Sequence, residues 1–227
     1  MQQIDLSHAI PDAPQGAALW AQALGPFETN CYVYTPDGQA AWIFDPGMDP
    51  QDVIEHVRQA GLSVEAIVLT HAHADHILGL DAVLEAFSGT PLLIHEDESE
   101  WLGDPAMNLS AGFGAPYSGP EPTRTLAHGD TLTIAGQPWA VRHTPGHSPG
   151  SCSFIAPGAR LAIVGDTLFS GSIGRTDLPG GDFDVLADSI RSHLYTLDAS
   201  CLCLPGHGPS TTVGHERQHN PFVRRDA

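Results

Sequence analysis

The sequence predicts a layered α/β fold, and the order of its strands and helices is compatible with two β-sheets that pack face to face and are covered by helices. Three observations lead to this prediction. The chain has 227 residues, of which 41% are hydrophobic, and this fits one large domain over residues 1–227 better than two small ones. Short apolar runs rich in branched and aromatic side chains recur along the chain. Segments with helical spacing lie between these runs.

The N-terminal half opens with a predicted hairpin. Apolar runs at residues 31–35 and 41–45 are joined by the turn tripeptide 36–38, Pro-Asp-Gly, which favours antiparallel pairing. Residues 50–60 carry apolar side chains at helical spacing and end at Gly61, which is typical of a helix terminus. The next predicted elements are a buried strand, a helix and a strand, at residues 66–70, 77–87 and 91–95.

The C-terminal half begins with an unusual segment. Residues 103–122 are dense in Gly and Pro, have no apolar period, and predict a long loop that is either a lid, a binding element or a passive insertion. Four strands are then predicted at residues 131–134, 139–143, 152–155 and 161–164. Residues 183–195 have helical spacing, and a last strand at 200–204 precedes a short polar tail.

The charge of the chain limits its partners. The formal net charge is −18, and all nine cationic residues are arginines. Such a surface repels phosphate backbones, so neither nucleic acid nor an anionic membrane is an expected partner. The chain has no run of roughly 20 apolar residues that could span a membrane, and its N-terminus lacks the pattern of a signal peptide. We therefore expect a cytoplasmic protein that acts on a small molecule.

The segment from Thr70 to His76 concentrates potential metal ligands. His71, His73, Asp75 and His76 fall within six residues, between a predicted strand and a predicted helix. Imidazole and carboxylate groups bind zinc and iron at neutral pH. A loop that crosses the end of a sheet can aim His71 and His73 at one ion and the other two side chains at a second ion.

Three further candidates also follow apolar runs. His147 and His207 each follow a Pro-Gly pair that predicts a tight turn, and Asp166 directly follows a predicted strand. The carboxylate of Asp166 has two oxygens and can bridge two cations. The seven side chains divide into two sites that share Asp166, with His71, His73 and His147 on one ion and Asp75, His76 and His207 on the other. Open positions for water would remain, as in catalytic sites.

This arrangement resembles the metallo-β-lactamase superfamily. The His-x-His-x-Asp-His segment is followed by His147, Asp166 and His207 in the order and approximate spacing of that family. Four short segments are similar to the short glyoxalase II-like hydrolases, also called hydroxyacylglutathione hydrolase-like, and they lie at residues 44–47, 165–169, 174–177 and 220–222. The resemblance implies an αββα sandwich, in which two mixed sheets are flanked by helices and metals bind at one edge.

The same resemblance implies a chemistry. Two divalent metal ions, with zinc expected and iron as the alternative, would hold a hydroxide that attacks a thioester such as S-lactoylglutathione. Asp75 would both bind metal and orient this hydroxide. Asp45 would accept a hydrogen bond from a metal-binding imidazole, or it is only a turn residue before Pro46.

The chain also departs from the larger glyoxalase II enzymes. Only about 20 residues follow His207, so we do not expect the C-terminal helical domain that helps those enzymes bind glutathione. Arg175 occupies the position of a substrate-binding lysine, and it either binds a substrate carboxylate or pairs with Asp177 or Asp182. The thiol is therefore either glutathione or another low-molecular-weight thiol.

Two other functions remain open at this point. A mono-iron persulfide dioxygenase of the same superfamily would bind its iron through His71, His147 and Asp166, and would leave the other candidates unused. A non-enzymatic or nucleic-acid-processing relative is disfavoured by the complete ligand set and by the net charge of −18. The sequence leaves the oligomeric state, the metal and the acyl group undecided.

Overall fold

The structure, a computed structural model, describes residues 1–6, 15–114, 116–156, 158 and 160–224. Ala115, within the predicted loop 103–122, lies outside the described residues. The strands of the described part are β1 (Gln2–Ile4), β2 (Ala18–Leu24), β3 (Thr29–Thr35), β4 (Ala40–Phe44), β5 (Ser63–Val68), β6 (Leu92–His95), β7 (Arg124–Leu126), β8 (Thr131–Ile134), β9 (Gln137–His143), β10 (Cys152–Ala156), β11 (Leu161–Gly165), β12 (Leu168–Phe169), β13 (Ser172–Ile173), β14 (Leu202–Pro205) and β15 (Thr211–Thr212).

The described part also contains several short helices. The α-helices are α1 (Gln51–Gln59), α2 (Ala74–Ile77), α3 (Leu80–Ala86), α4 (Phe183–Ser189) and α5 (Val213–His219). Three 3-10 helices lie at Glu96–Glu98, Glu100–Gly103 and Ser110–Phe113, and a π-helix lies at Ile190–Leu194. No helix within the described ranges is both long and apolar enough to cross a membrane.

Two mixed sheets form the body of the molecule. The first holds β1 to β7 in chain order, antiparallel from β1 to β4 and parallel from β4 to β7. The second has the order β15-β14-β11-β10-β9-β8, and within it only the β11–β14 pair is parallel. The predicted fold class, two mixed sheets with flanking helices, is confirmed.

The main core lies between the two sheets. Trp139 of the second sheet contacts three aromatic side chains of the first sheet, with ring centroids 5.0–6.1 Å apart. These partners are Tyr34, Trp42 and Phe44. Strands β3, β4, β10 and β11 are almost wholly buried because each is covered on both faces. Each fully buried large apolar side chain contributes about 1.5–3 kcal/mol to folding.

Helices cover the outer face of each sheet. Val53 and Val57 of α1 pack with Leu80 and Val83 of α3 over the first sheet. On the opposite side of the molecule, Leu186 of α4 belongs to an apolar cluster that covers the outer face of the second sheet. The layers are therefore helix, sheet, sheet and helix.

Three predicted elements were wrong in detail. The helix predicted at residues 77–87 is two helices, α2 and α3, because Gly79 packs against the backbone of Gly47, where a Cβ would collide with a carbonyl oxygen. The helix predicted at 183–195 is α-helical only to Ser189 and then widens into the π-helix.

The predicted polar tail is also wrong, since it contains β15 and α5. Thr212 caps α5 by accepting a hydrogen bond from the His215 N–H at 3.2 Å. The fully buried Glu216 accepts hydrogen bonds from the Thr211 hydroxyl and the Asn220 amide. These local polar contacts, rather than an apolar period, order the segment.

Candidate metal centre

The seven predicted ligands converge at one edge of the sandwich. Each follows the end of a strand, so the sheet places all of these turns side by side. The segment with His71, His73, Asp75 and His76 comes after β5, and the three remaining side chains follow β9, β11 and β14, in the order His147, Asp166 and His207.

The first group contains three buried imidazoles. His73 Nδ1 lies 2.9 Å from His147 Nε2, and His147 Nε2 lies 3.3 Å from His71 Nε2. All three side chains are almost inaccessible to solvent. Their ring nitrogens lie close enough together to hold a single cation. This is the group that the sequence assigned to one ion.

The second group lies beside it and is more open. His207 Nε2 is 3.2 Å from Asp75 Oδ2, and His76 Nε2 is 3.5 Å from the same carboxylate oxygen. Thr29 donates its hydroxyl to Asp75 Oδ2 at 2.8 Å, which fixes the carboxylate. Asp75, His76 and His207 are the side chains that the sequence assigned to a second ion.

Asp166 stands between the two groups. Its Oδ2 lies 3.5 Å from His147 Nε2 and 3.5 Å from His207 Nε2. Its Oδ1 lies 3.4 Å from His76 Nε2. One carboxylate therefore faces nitrogen atoms of both groups, which is the position that a bridging ligand requires.

Hydrogen bonds behind three of the imidazoles set their orientation. Nδ1 of His76 contacts Asp45 Oδ2 at 3.0 Å, Nδ1 of His147 contacts the Arg175 carbonyl at 2.8 Å, and Nδ1 of His207 contacts the Phe27 carbonyl at 3.0 Å. Each acceptor requires a proton on Nδ1. The Nε2 lone pair of each ring is therefore free to face the centre, as in metal sites.

Asp45 is both a turn residue and a hydrogen-bond partner of the His76 imidazole. It lies at the turn after β4 with φ of 50°, and its side chain is buried. Besides contacting His76, it accepts hydrogen bonds from the Thr70 N–H at 2.8 Å and from the Thr70 hydroxyl at 2.7 Å. The carboxylate thus ties the start of the ligand segment to the imidazole of His76.

The electrostatics of the centre suit cations. Burial lowers the pKa of His71, and burial together with His147 lowers the pKa of His73 to about 3, so both rings are neutral. Burial alone would raise the pKa values of Asp75 and Asp166, but His76 brings both below their usual range. The neighbouring carboxylates in turn raise the pKa values of His76 and His207. The centre thus combines imidazoles with ionised carboxylates, which is the donor set of zinc and iron sites.

Unpaired polar atoms show that this donor set fits a metal. Five buried side-chain atoms of the described residues have no hydrogen-bond partner, and two of them, His76 Nε2 and Asp166 Oδ1, lie at the centre and face each other. Buried polar atoms are normally paired, so each exception needs an explanation. Gly206 leaves the adjacent space open, because a Cβ there would collide with Asp166 Oδ1 and lie 2.7 Å from His76 Cε1. Metal coordination would satisfy both unpaired atoms.

A cavity of about 710 Å³ opens from the centre to the surface. Asp75, Asp166 and His207 line its polar end, and Phe27 and Phe113 line its outer wall. Its volume falls within the range of small-molecule sites, roughly 300–1,000 Å³. The two phenylalanines were not predicted, because a lone exposed Phe gives no signal in a single sequence.

Arg175 lines the same cavity, but its guanidinium is already paired. Its Nε and Nη2 donate to Asp177 Oδ1 and Oδ2 at 2.7 and 2.8 Å. Both side chains are exposed. The pairing with Asp177, one of the alternatives considered for Arg175, is therefore present, and the prediction that Arg175 binds substrate stays a prediction.

The predicted loop 103–122 contributes to the cavity wall. Asn108 is buried, and its side-chain amide donates to the carbonyls of Leu102 and Tyr117 at 3.2 and 2.9 Å. The backbone carbonyl of Asn108 accepts the Ala74 N–H at 2.8 Å. The loop is thus bonded directly to the helix that carries Asp75. Its residues Leu109 and Phe113 line the cavity, so it is more than a passive insertion.

Comparison with known proteins identifies the family. The profile of the Metallo-beta-lactamase superfamily matches residues 24–207. The chain belongs to this superfamily. Its layered sheets are those that the resemblance predicted, and the profile match confirms the predicted family.

Curated relatives and solved structures cover most of the chain. "Probable metallo-hydrolase YqgX" of Bacillus subtilis is 42% identical over 88% of this chain and 94% of its own length. "Hydroxyacylglutathione hydrolase GloC" of Haemophilus influenzae is 34% identical over 87% of this chain and 93% of its own. The BLEG-1 B3 metallo-beta-lactamase is similar at a TM-score of 0.86 and 43% identity, over 90% of this chain and 99% of that structure. TTHA1623 in a di-iron-bound form is similar at a TM-score of 0.79 and 35% identity, over 90% of this chain and 100% of that structure.

Proposed function

We propose that this metallo-hydrolase cleaves a thioester of a low-molecular-weight thiol, with S-lactoylglutathione as the first substrate to test. One observation carries the proposal. Two groups of side chains that could hold metal ions lie on either side of Asp166 and open into a cavity large enough for a small thioester. The similarity to the protein named hydroxyacylglutathione hydrolase over most of both chains supports this substrate class.

The residues divide into two metal sites in this proposal. His71, His73 and His147 would hold one divalent ion, and Asp75, His76 and His207 would hold the second, with Asp166 between them. When bound, such ions supply Lewis acidity for the carbonyl and lower the pKa of water toward about 7. Zinc or iron would serve, since imidazole and carboxylate groups accept both. The di-iron form of TTHA1623 supports the presence of two ions and the possibility of iron.

Asp75 would position the attacking water. Its carboxylate lines the cavity, so a water molecule can reach it. The Thr29 hydroxyl occupies one side of Oδ2 at 2.8 Å and holds the carboxylate in place. Asp75 can therefore accept a hydrogen bond from the water and point its lone pair at the thioester carbonyl. A thioester needs little more from the protein, because a thiolate departs without strong protonation.

The test is steady-state hydrolysis of S-D-lactoylglutathione by metal-replete protein, followed by the loss of thioester absorbance. Protein carrying Asp166→Ala serves as the control for background hydrolysis. Turnover that depends on Asp166 supports the proposal. If the protein binds two metals but hydrolyses no thioester, the proposed function is wrong. Oxygen uptake with a persulfide substrate and one bound iron would instead establish the dioxygenase alternative.

A second candidate is hydrolysis of a β-lactam ring. The observation that favours it is the 43% identity to the protein described as a B3 metallo-beta-lactamase. The same metal centre can attack a strained amide, since the carbonyl is activated in the same way. Parallel assays with a chromogenic cephalosporin and the thioester rank the two activities by their kcat/KM values. The thioester proposal predicts the larger value for the thioester.

A further inference from the structure

Two aromatic rings form the outer wall of the cavity. Phe27, in the turn between β2 and β3, and Phe113, in the loop 103–122, have ring centroids 4.9 Å apart. Each is nearly half exposed, at 45% and 46%. A packed aromatic pair that leaves this much apolar surface open to a cavity is typical of a ligand-binding wall.

The backbone beside this pair is held in an unusual conformation. Leu109, which lines the cavity, has φ of 70° and ψ of 1°, a left-handed conformation that is costly for a bulky residue. The neighbouring Asn108 fixes it, since the Asn108 side chain accepts the Ser110 N–H at 3.0 Å and donates to two carbonyls. The loop therefore presents Leu109 and Phe113 in a defined position.

The charges around the cavity disfavour binding of an anionic group against Phe27 and Phe113. Arg175 is the one arginine among the described lining residues, which include no lysine, and Asp177 neutralises it through two hydrogen bonds. The chain as a whole carries a net charge of −18. A carboxylate placed against Phe27 and Phe113 would thus lose its hydration without gaining a partner.

We infer that this wall binds the acyl part of the thioester, and that the preferred acyl group is uncharged and either aromatic or branched. The inference rests on the proposed function and adds the substrate class. The acyl part is the one that fits, because common low-molecular-weight thiols carry carboxylates, amines or sugars, whereas acyl groups are often apolar. Phe27 and Phe113 are specificity-determining residues in this view.

The experiment compares a series of glutathione thioesters whose acyl group changes from acetyl to lactoyl, isobutyryl, mandeloyl and phenylacetyl. The wild type is expected to show kcat/KM for phenylacetyl at least about tenfold above acetyl, in line with the gain from one well-packed apolar group. Phe113→Ala should reduce this preference to about twofold or less. Phe183→Ala removes an equally exposed phenylalanine outside the cavity and should preserve the preference.

A binding measurement separates this inference from the proposed function. Calorimetry with phenylacetamide and acetamide as uncharged, non-hydrolysable probes of the acyl site reports on the wall even if no thioester is cleaved. Tighter binding of the phenyl probe that disappears in Phe113→Ala supports the wall as an apolar site. Equal binding of both probes, or an acyl preference that survives Phe113→Ala, overturns the inference.

Glu98 carries a second, independent inference. Its carboxylate is completely buried, and burial raises its pKa. Oε2 accepts the Ala72 N–H at 2.5 Å and Oε1 accepts the Gly150 N–H at 2.7 Å. Ala72 lies between His71 and His73, and Gly150 lies in the turn that carries His147. One side chain therefore connects the two segments that supply the first metal group.

Glycine at position 150 makes this close approach possible. A Cβ at Gly150 would lie 2.8 and 2.9 Å from Glu98 Cγ and Cβ, which is too close for a side chain. We propose that Glu98 is a positioning residue for the first metal site. It sets the separation between the imidazoles of His73 and His147, which is 2.9 Å between the nearest nitrogens.

The test is titration of metal-free protein with Co²⁺, followed by visible absorption, which reports ligand geometry. Glu98→Gln can accept only one of the two N–H groups, so Co²⁺ affinity at the first site should fall about 10- to 100-fold with an altered spectrum. Glu98→Asp retains the carboxylate but is one methylene shorter, and its Co²⁺ affinity should fall less than that of Glu98→Gln. The exposed Glu100→Gln is the control and should match the wild type.

Stability is measured on the same metal-free proteins. A purely structural role predicts a lower melting temperature with unchanged Co²⁺ affinity and spectrum, and that result would overturn the positioning role. Reduced affinity in either variant, at a stability that keeps the protein folded at the assay temperature, supports it.

Discussion

Replacement of Asp45 should weaken metal binding without direct removal of a ligand. The carboxylate accepts three hydrogen bonds, from the Thr70 N–H, the Thr70 hydroxyl and His76 Nδ1. In Asp45→Ala the hydroxyl can turn to His71 Nδ1 at 3.1 Å, but the other two donors are left without an acceptor. At about 1–3 kcal/mol for each buried unpaired donor, the free energy of unfolding should fall by about 2–6 kcal/mol.

Asp45→Asn separates metal binding from folding. Asn tolerates the left-handed backbone at this position, where φ is 50°. If the amide oxygen accepts the Thr70 N–H, the amide NH₂ group faces His76 Nδ1, which must then become an acceptor. The imidazole proton moves to Nε2 and removes the lone pair that faces Asp75 and Asp166. We expect a free energy of unfolding close to the wild type and a metal affinity that is about 10- to 100-fold lower.

The assay combines urea unfolding of metal-free protein with Zn²⁺ titration against a competing chelator. Asp177→Asn, an exposed carboxylate that pairs only with Arg175 in the described contacts, is the matched control. If Asp45→Asn binds both Zn²⁺ ions as tightly as the wild type, Asp45 does not set the tautomer of His76, and this reasoning is refuted.

Three further predictions follow from the site and its surroundings. Asp166→Ala should lose at least one metal and reduce turnover by orders of magnitude, which elemental analysis and kinetics measure; two retained metals and near-normal turnover would contradict the ligand assignment. Gly206→Ala should lower metal affinity more than about tenfold, because the added Cβ collides with Asp166 Oδ1. Burial and His143 lower the pKa of His95 from 6.5 to about 4, so stability should fall as the pH drops through this window. In His95→Asn the unfolding free energy should depend less on pH between 6.5 and 4, and an unchanged slope would show that His95 does not contribute.

The sequence was most informative where chemistry is concentrated in short motifs. The segment around His71 and His73, together with the Pro-Gly turns before His147 and His207, indicated side chains that the structure brings together at one edge. Such a pattern is informative because few other arrangements of the chain require several imidazoles and carboxylates at strand ends. The many short apolar runs predicted a layered α/β class, whereas the two-sheet architecture was implied by the resemblance to the superfamily.

The sequence was less informative where structure depends on tertiary contacts. The helix break at Gly79 results from close packing on Gly47, and the order of the C-terminal segment results from buried hydrogen bonds of Glu216. Neither leaves a periodic signal. Phe27 and Phe113 are far apart in the chain and meet only when the loop folds over the cavity. A buried acid such as Glu98 is likewise indistinguishable from a surface acid in sequence.

We propose above that seven side chains hold two metal ions that share Asp166. Elemental analysis of protein purified without added metal and then reconstituted with Zn²⁺ or Fe²⁺ tests it most directly, with Asp166→Ala and His207→Ala measured in parallel. We expect two equivalents per chain for the wild type and no more than one for each variant. One tightly bound equivalent in the wild type, unchanged in His207→Ala, would rule out the two-metal assignment and would favour a mono-metal site.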